Sequence, residues 1–420
     1  MLKMIIETFG CQMNVADSEM LEELLFARGF EHCKSDKDAD LIVVNTCSVR
    51  AKAENRAKAR LREYAAHKKK GAQLWVVGCM AENIGDELKK EIPKLDRVIG
   101  APDMEYLSFN IDGYLKTLST EDANEASHTS GISRFLPIMR GCDNYCSYCI
   151  VPFVRGREHS VKSGNIYKQI LEMAETGTKE ITLLGQNVNS YNDNGMNLTE
   201  LIHYLHDIPK IERIRFTTSH PKDMSDDLIQ TVKELPKLAT HIHLPVQSGS
   251  TEVLKRMNRK YTIDHYMTRI DLIKKLLPNA DITTDVMVGF PGESDAEFEE
   301  TLNLFKKVNY TTAYMFGYSV RKGTAAEKYE NQIPLDIIKA RLQTLVDLQN
   351  EITKKRYFEM IGTEGEALFT RRQTKGKREW VGQDYGFKRV VLEDNEDLYG
   401  KIIRYRVASA TGRTLIAERI

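Results

Sequence analysis

The 420-residue chain has no excess charge of either sign: 60 Lys and Arg stand against 60 Asp and Glu. Net charge therefore points to no polyanionic partner, and a nucleic-acid site has to arise from local clustering. No apolar run reaches about 18 residues, which argues against a helical membrane span. The start, "MLKMIIETFGCQMN", has neither the long apolar core nor the small-residue cleavage site of a secretory signal. The expectation is a cytoplasmic protein with no membrane partner. Cysteine is also absent from most of the chain, since all seven lie at or before Cys149. In a reducing compartment such thiols serve metals or chemistry more often than disulfides. The tightest group lacks a fourth member: "RGCDNYCSYCIVPFVRGRE" sets Cys142, Cys146 and Cys149 at C-x-x-x-C-x-x-C. A closed zinc site or an electron-transfer iron–sulfur cluster takes four ligands. Three leave one metal position open for chemistry.

The length suggests about two or three domains. Over residues 1–115, "MIIETFG", "DLIVVNT" and "QLWVVG" are strand-length runs, the last two rich in branched residues, as suits strands buried on both faces of a parallel sheet. Between the first two, "DSEMLEELLFARGF" places Met20, Leu21, Leu24 and Leu25 on one helical face, with Gly29 as the stop. This βαβ pattern predicts a Rossmann-like parallel-sheet domain. Each of the three runs ends in a cysteine: Cys11, Cys47 and Cys79. Ligands bind at the carboxyl ends of strands in open α/β sheets, so three thiols distant in sequence are expected to converge at one edge. Any one of them alone reads as a small buried apolar residue; three in equivalent positions read as a site. Cys33, in "EHCKSDKD", has no such position and is expected to be structural.

Residues 116–133 are polar and small, and read as a linker. Over 134–358 six candidate strands alternate with helical segments: "FLPIMRG", "EITLLGQNV", "RIRFTTSHP", "HIHLPVQSG", "ITTDVMVGFPG" and "TAYMFGYSV". That alternation predicts a partial (β/α)6 barrel. Polar residues cluster at its strand ends, where barrel active sites are built. Over 359–420 five short strands predict a small β-barrel. Its segment "RRQTKGKR" carries Arg371, Arg372, Lys375, Lys377 and Arg378 with no acid. With Trp380, Tyr385 and Phe387 as exposed aromatics, this patch suits RNA backbone and base contact; the alternative is a solvated hairpin of charges.

The cysteine triplet is too tight for three independent core residues, so a metal is expected. Zinc would need a further Cys or His close by, and His159 lies beyond a Pro-containing stretch. A [4Fe–4S] cluster on three cysteines has one iron free of protein ligands.

C-x-x-x-C-x-x-C after the first strand of a βα barrel resembles the radical S-adenosylmethionine superfamily. "TFGCQMNVADSE", "NTCSVRAKAEN", "GCMAE", "IMRGCDNYCSYCIVPFVRGREHS", "LLGQNVNSY", "FTTSHPKD", "HLPVQSGS" and "DVMVGFPGE" resemble its methylthiotransferase family over nearly the whole chain, and "SATGRTLIAE" resembles the end of that family's TRAM domain. The resemblance implies that Cys142, Cys146 and Cys149 carry the radical cluster. It implies a second [4Fe–4S] cluster, also with one open iron, on Cys11, Cys47 and Cys79. It further implies two equivalents of S-adenosylmethionine, one as methyl donor and one as radical source. The implied reaction inserts CH3–S at C2 of an N6-isopentenyladenosine beside the tRNA anticodon. By position in such a barrel, Gly185, Gln186 and Asn187 would meet the methionine amino group, Ser219, Gln247 and Ser248 would line the same mouth, and Gly289 would pass near the adenine. Arg155 and Arg157 would face substrate or phosphates, and His241 and His243 would be structural or support the site. Implied partners are the anticodon stem-loop, a reductant such as flavodoxin or ferredoxin, and a sulfur- or cluster-delivery protein, with the chain itself a monomer. Alternatives of the same chemistry act on threonylcarbamoyl adenosine or on an aspartate of a ribosomal protein; a non-catalytic iron–sulfur RNA-binding protein is a third. One departure stands out: "SVRKGTAA" after the sixth strand lacks the flanking prolines of the family form.

Overall fold

A computed structural model describes residues 1–49, 51–102, 107–118, 131–373 and 379–420. Most of the expected linker, and Lys375, Lys377 and Arg378, lie outside the described residues. The chain divides into two compact units, the first made of Met1–Tyr145, Cys149–Val161 and Leu184–Gln186, the second of Cys146–Tyr148, Lys162–Leu183 and Asn187–Ile420. Among the described residues no helix is long and apolar enough to cross a membrane.

The first unit holds a five-stranded parallel sheet in the order β2-β1-β3-β4-β5, from β1 (Leu2–Phe9), β2 (Phe30–His32), β3 (Leu41–Thr46), β4 (Gln73–Gly78) and β5 (Arg97–Gly100). Helix α1 (Gln12–Phe26) follows β1, α2 (Ala51–His67) follows β3 and α3 (Cys79–Glu91) follows β4. The unbroken apolar runs of β3 and β4 reflect burial on both faces. Ile42, Val44, Leu74 and Val76 pack with Leu61, Tyr64, Met80 and Leu88 on one side. Val43, Trp75 and Val77 pack with Leu21, Leu25 and Tyr114 on the other. Each such side chain removed from water contributes about 1.5–3 kcal/mol. The register makes the strand ends flush: Phe9 pairs with Thr46, Thr46 with Gly78, and Gly78 with Gly100. The first unit also contains β6 (Ser133–Pro137) and a short antiparallel pairing of Met139–Arg140 with His159–Ser160.

Each of the six segments expected to supply barrel strands contains one, and five lie mainly in the second unit. Glu180–Leu184 pairs in parallel with Arg213–Phe216. His241–His243, Asp281–Val288 and Thr312–Gly317 pair in parallel in that order. A single bridge between Ile214 and Leu238 carries the first pair on toward the other three. After the 25-residue helix Leu335–Glu359, five strands close into a small barrel around Phe369, Trp380, Leu392, Tyr405 and Leu415.

This barrel corrects one expectation. Trp380 belongs to its core, because a small closed barrel is filled by inward side chains. Tyr385 and Phe387 are half-buried under the guanidinium groups of Arg213 and Arg215, at 4.1 and 5.1 Å. Both arginines also pair with Glu180, at 3.2 and 2.8 Å, and donate to the carbonyls of Gln383 and Tyr385 at 3.0 and 2.9 Å. The turn that begins at Asp384 is thereby fixed from the parallel sheet.

Candidate metal centre

The flush strand ends of the first unit set the places of three cysteines. Cys47 and Cys79 are the residues directly after Thr46 and Gly78, and Cys11 follows Phe9 by two. Gly78 has φ +92° and a Cβ there would lie 2.6 Å from the Thr46 carbonyl oxygen, so the turn into Cys79 requires glycine. Cys11 caps α1, and its amide donates to Asn14 Oδ1 at 3.2 Å. Asn14 in turn donates Nδ2 to Asn45 Oδ1 (2.9 Å) and to the Thr46 carbonyl (3.1 Å), while Asn45 donates back to the Asn14 carbonyl (2.9 Å). The loop carrying Cys11 is thus tied to the strand end carrying Cys47.

Cys79 is 1% exposed. Burial pushes its thiol up to about 11; nearby Arg155 opposes this, and the Cys47 and Cys11 thiols add to it. Cys79 is thus within electrostatic reach of both Cys47 and Cys11. The Val49 amide donates to Cys47 Sγ at 3.3 Å, and Arg155 Nε donates to Cys79 Sγ at 3.1 Å. Cys33 packs instead against the core below α2 and α3.

In the triplet, Cys142 and Cys149 belong to the first unit and Cys146 to the second, each partly exposed. Gly141 precedes Cys142 at φ +76°, and a Cβ there would meet the Arg157 carbonyl at 2.0 Å. Asn144 Nδ2 donates to Cys142 Sγ at 3.4 Å. Within the second unit, Arg259 Nη1 donates to Cys146 Sγ at 3.3 Å and Nη2 to the Pro245 carbonyl at 3.3 Å. Burial works against the Arg259 charge, yet Tyr261, Tyr148 and Cys146 hold it well above the ordinary arginine range. Ser147 donates its amide to the Met257 carbonyl at 2.9 Å, which fixes the residue after Cys146. Among the described residues, no group of three or more His, Cys, Asp or Glu could hold a single metal ion.

The strand-end polar residues divide by what they bond. In the first unit Gln186 Oε1 is buried without a hydrogen-bond partner; in the second, Asn187 Oδ1 and Ser219 Oγ are as well. A buried polar atom left so costs about 1–3 kcal/mol, and a polar ligand would remove that cost. Gly185, next to Gln186, is buried. Gln247 has φ +68° and bridges in parallel to Val286. Ser248 Oγ accepts the Ser250 amide at 3.2 Å. Gly289 (φ +72°) donates its amide to Glu293 at 2.6 Å, with Ile338 so close that a Cβ would meet it at 2.4 Å. The last two have structural tasks visible in their bonds.

Arg155 is buried, turned to Cys79 and Asp17, whereas Arg157 is 77% exposed and pairs with Asp143 at 2.9 Å. Arg371 and Arg372 are exposed on the small barrel, Arg372 lying 5.6 Å over Trp380. His241 Nε2 and His243 Nδ1 both lie 2.9 Å from Thr283 Oγ1, and burial drives His241 well below the ordinary histidine range. Asn14, Asp17, Asn45, Arg140 and Arg259 are missed by reading for metal ligands alone. The first four sit inside or beside the cysteine motifs, while nothing in the sequence singles out Arg259.

Residues 136–305 match the Radical SAM superfamily, and residues 3–100 match the uncharacterized protein family UPF0004. The chain is 41% identical over 430 residues to the tRNA-2-methylthio-N(6)-dimethylallyladenosine synthase of Geotalea uraniireducens (strain Rf4), covering 98% of each chain. It is 39% identical to the synthase of that name from Clostridium botulinum (strain Okra / Type B1), covering 99% of this chain and 96% of the relative. To that of Endomicrobium trichonymphae it is 38% identical, over 99% of each. In fold it is similar to the radical S-adenosylmethionine methyltransferase TsrM from Kitasatospora setae, with a TM-score of 0.56 at 12% identity over 78% of this chain and 77% of the other. It is also similar to the cobalamin-dependent S-adenosylmethionine radical enzyme OxsB, with a TM-score of 0.52 at 13% identity over 82% of this chain and 56% of the other.

Proposed function

The chain belongs to the tRNA-2-methylthio-N(6)-dimethylallyladenosine synthase family of radical S-adenosylmethionine enzymes, and we propose from this that it adds a CH3–S group at C2 of N6-isopentenyladenosine beside the tRNA anticodon. The relation over the full length to synthases of that name carries the reading. It disfavours a ribosomal-protein aspartate, threonylcarbamoyl adenosine and a non-catalytic RNA-binding role.

A radical S-adenosylmethionine enzyme uses a [4Fe–4S] cluster and S-adenosylmethionine. We assign Cys142, Cys146 and Cys149 to that cluster, and Cys11, Cys47 and Cys79 to a second one that holds the sulfur to be transferred. Two observations support a fit. Flush strand ends that carry Cys47 and Cys79, with the Cys79 thiol influenced by both Cys47 and Cys11, suit a metal–sulfur cluster. In the second unit, unpaired buried atoms on Asn187 and Ser219 suit a polar cofactor. When bound, these groups supply a carbon radical for a C–H bond that no side-chain base can ionise, together with the methylated sulfur.

The chain's own residues bind, orient and exclude water. Arg259 holds the Cys146 sulfur in one orientation through its Nη1–H, with Nη2 donating to the Pro245 carbonyl and Nε to the Tyr261 hydroxyl. Asn187, whose Nδ2 is fixed by Asp223 at 2.8 Å, turns a determined Oδ1 to its ligand. The buried surroundings of Cys79 keep water from that sulfur. Domain roles follow: 1–115 for the second cluster, 134–358 for the radical barrel and 359–420 for RNA, with Arg371 and Arg372 on the phosphates and Arg157 toward substrate. A reductant and a sulfur- or cluster-delivery protein complete the cycle, and a tRNA substrate puts the enzyme in the cytoplasm.

Anaerobically reconstituted protein is expected to hold about eight irons per chain, as two cubanes, and to methylthiolate an isopentenylated anticodon stem-loop. About four irons, or turnover only of a protein substrate, would overturn the reading.

A further inference from the structure

Asp17 lies on α1 with no exposed surface and divides its two oxygens between two arginines. Oδ1 accepts from Arg140 Nη2 at 2.7 Å, and Oδ2 from Arg155 Nη2 at 3.4 Å. A buried carboxylate needs such partners. Two guanidinium groups against one carboxylate leave one positive charge over, and the remaining face of Arg155 is turned to sulfur: its Nε lies 3.1 Å from Cys79 Sγ. The surroundings are dry, with Cys79 packed among Ala101, Ile150 and Val154. In such a place a charge-assisted hydrogen bond is stronger than in water.

We propose that Arg155, oriented by Asp17, is a positioning residue for the Cys11, Cys47 and Cys79 cluster, and that its N–H to the Cys79 sulfur makes that cluster easier to reduce. This rests on the reading that these three thiols hold a cluster. Donation to a ligating thiolate withdraws electron density from the iron side, and hydrogen bonds to sulfur are among the levers that set cluster potentials. The surplus positive charge acts in the same direction, because it favours the more negative, reduced form.

The origin of the two arginines gives this contact a second consequence. Arg140 stands two residues before Cys142, and Arg155 six residues after Cys149, at the end of the short helix Val151–Arg155. Asp17 stands six residues after Cys11. The group that tunes one set of cysteines is therefore built from the segment that carries the other set.

The test uses the full chain with Cys142, Cys146 and Cys149 replaced by Ala, so that only the second cluster reports. Reconstituted anaerobically, this background is expected to hold about four irons, and its midpoint is read by potentiometric titration with EPR detection. R155M is expected to shift the midpoint to more negative potential, and R155K, which keeps the charge, is expected to stay nearer the parent. An unchanged midpoint in an R155M protein that retains its iron overturns the proposal. Should R155M fail to retain iron, R155L, which also removes both the N–H donor and the charge, takes its place, and an unchanged midpoint there overturns it equally. A background that binds no iron at all refutes the ligand assignment itself, and the role of Arg155 falls with it.

Discussion

Arg259 and Cys146, 113 residues apart in the chain, meet through a part-buried N–H to sulfur contact of 3.3 Å. Outer partners of metal ligands typically change affinity or activity by about 10–100-fold when removed. Arg259→Met is therefore expected to lower reductive cleavage of S-adenosylmethionine by roughly that factor, read as 5′-deoxyadenosine formed per iron bound. Arg259→Lys, with a charge but no planar fork, should fall between the two. Equal cleavage in all three proteins would remove Arg259 from the site.

Separate replacement of the cysteines should divide the phenotype. Cys146→Ala is expected to abolish formation of 5′-deoxyadenosine. Cys47→Ala, at the end of β3, should leave abortive cleavage intact while the methylthiolated nucleoside disappears from digests of the RNA. Loss of both products in both variants would mean that the two sets of thiols do not work as separate centres.

Much of this arrangement is legible in the chain because it depends on local pattern. The apolar runs of β1, β3 and β4 have strand length, and each is followed within two residues by a cysteine, so a parallel sheet alone brings the thiols to one edge. What fails is long-range charge pairing. A sequence arginine reads as a surface cation, yet Arg155 is buried against Asp17, 138 residues away. Tyr385 and Phe387 read as exposed ring faces, but Arg213 and Arg215 cover them from a strand about 170 residues earlier. Asn14 and Asn45 are visible as letters in the cysteine motifs; their reciprocal hydrogen bonds need the β1 to β3 register before they can be seen.

The small barrel should be sensitive to one buried cation. Lys388 bonds Asp281 and lies 3.0 Å from Asp384, all three being nearly inaccessible. Lys388→Met would leave two buried carboxylates, one of them keeping only Arg356 at 3.6 Å and the Thr311 hydroxyl at 2.7 Å. Breaking such a pair costs about 3–5 kcal/mol, so calorimetry should show an earlier unfolding transition, and stem-loop affinity should be lost at a lower temperature than in the parent. A transition unmoved by Lys388→Met would show that packing alone fixes the turn at Asp384.

His220 sets a pH dependence whose sign follows from its surroundings. Burial pushes its imidazole down to about 2, with Arg259 and Lys222 adding to the effect. Its Nδ1 accepts the Lys222 amide at 3.2 Å, which requires the neutral ring. In the unfolded chain the same ring titrates near about 6.5. Between these values the unfolded state binds a proton that the folded state refuses, so stability rises with pH and is lost as pH falls below about 6.5. His241, also held well below the ordinary range, acts in the same direction. From pH 7.5 to 5.5 the His220 contribution alone amounts to about 1.4 kcal/mol. Urea unfolding at the two pH values should show that loss in the parent and a smaller one in His220→Asn, whose amide oxygen can still accept the Lys222 N–H. The same loss in both proteins would place the pH dependence elsewhere.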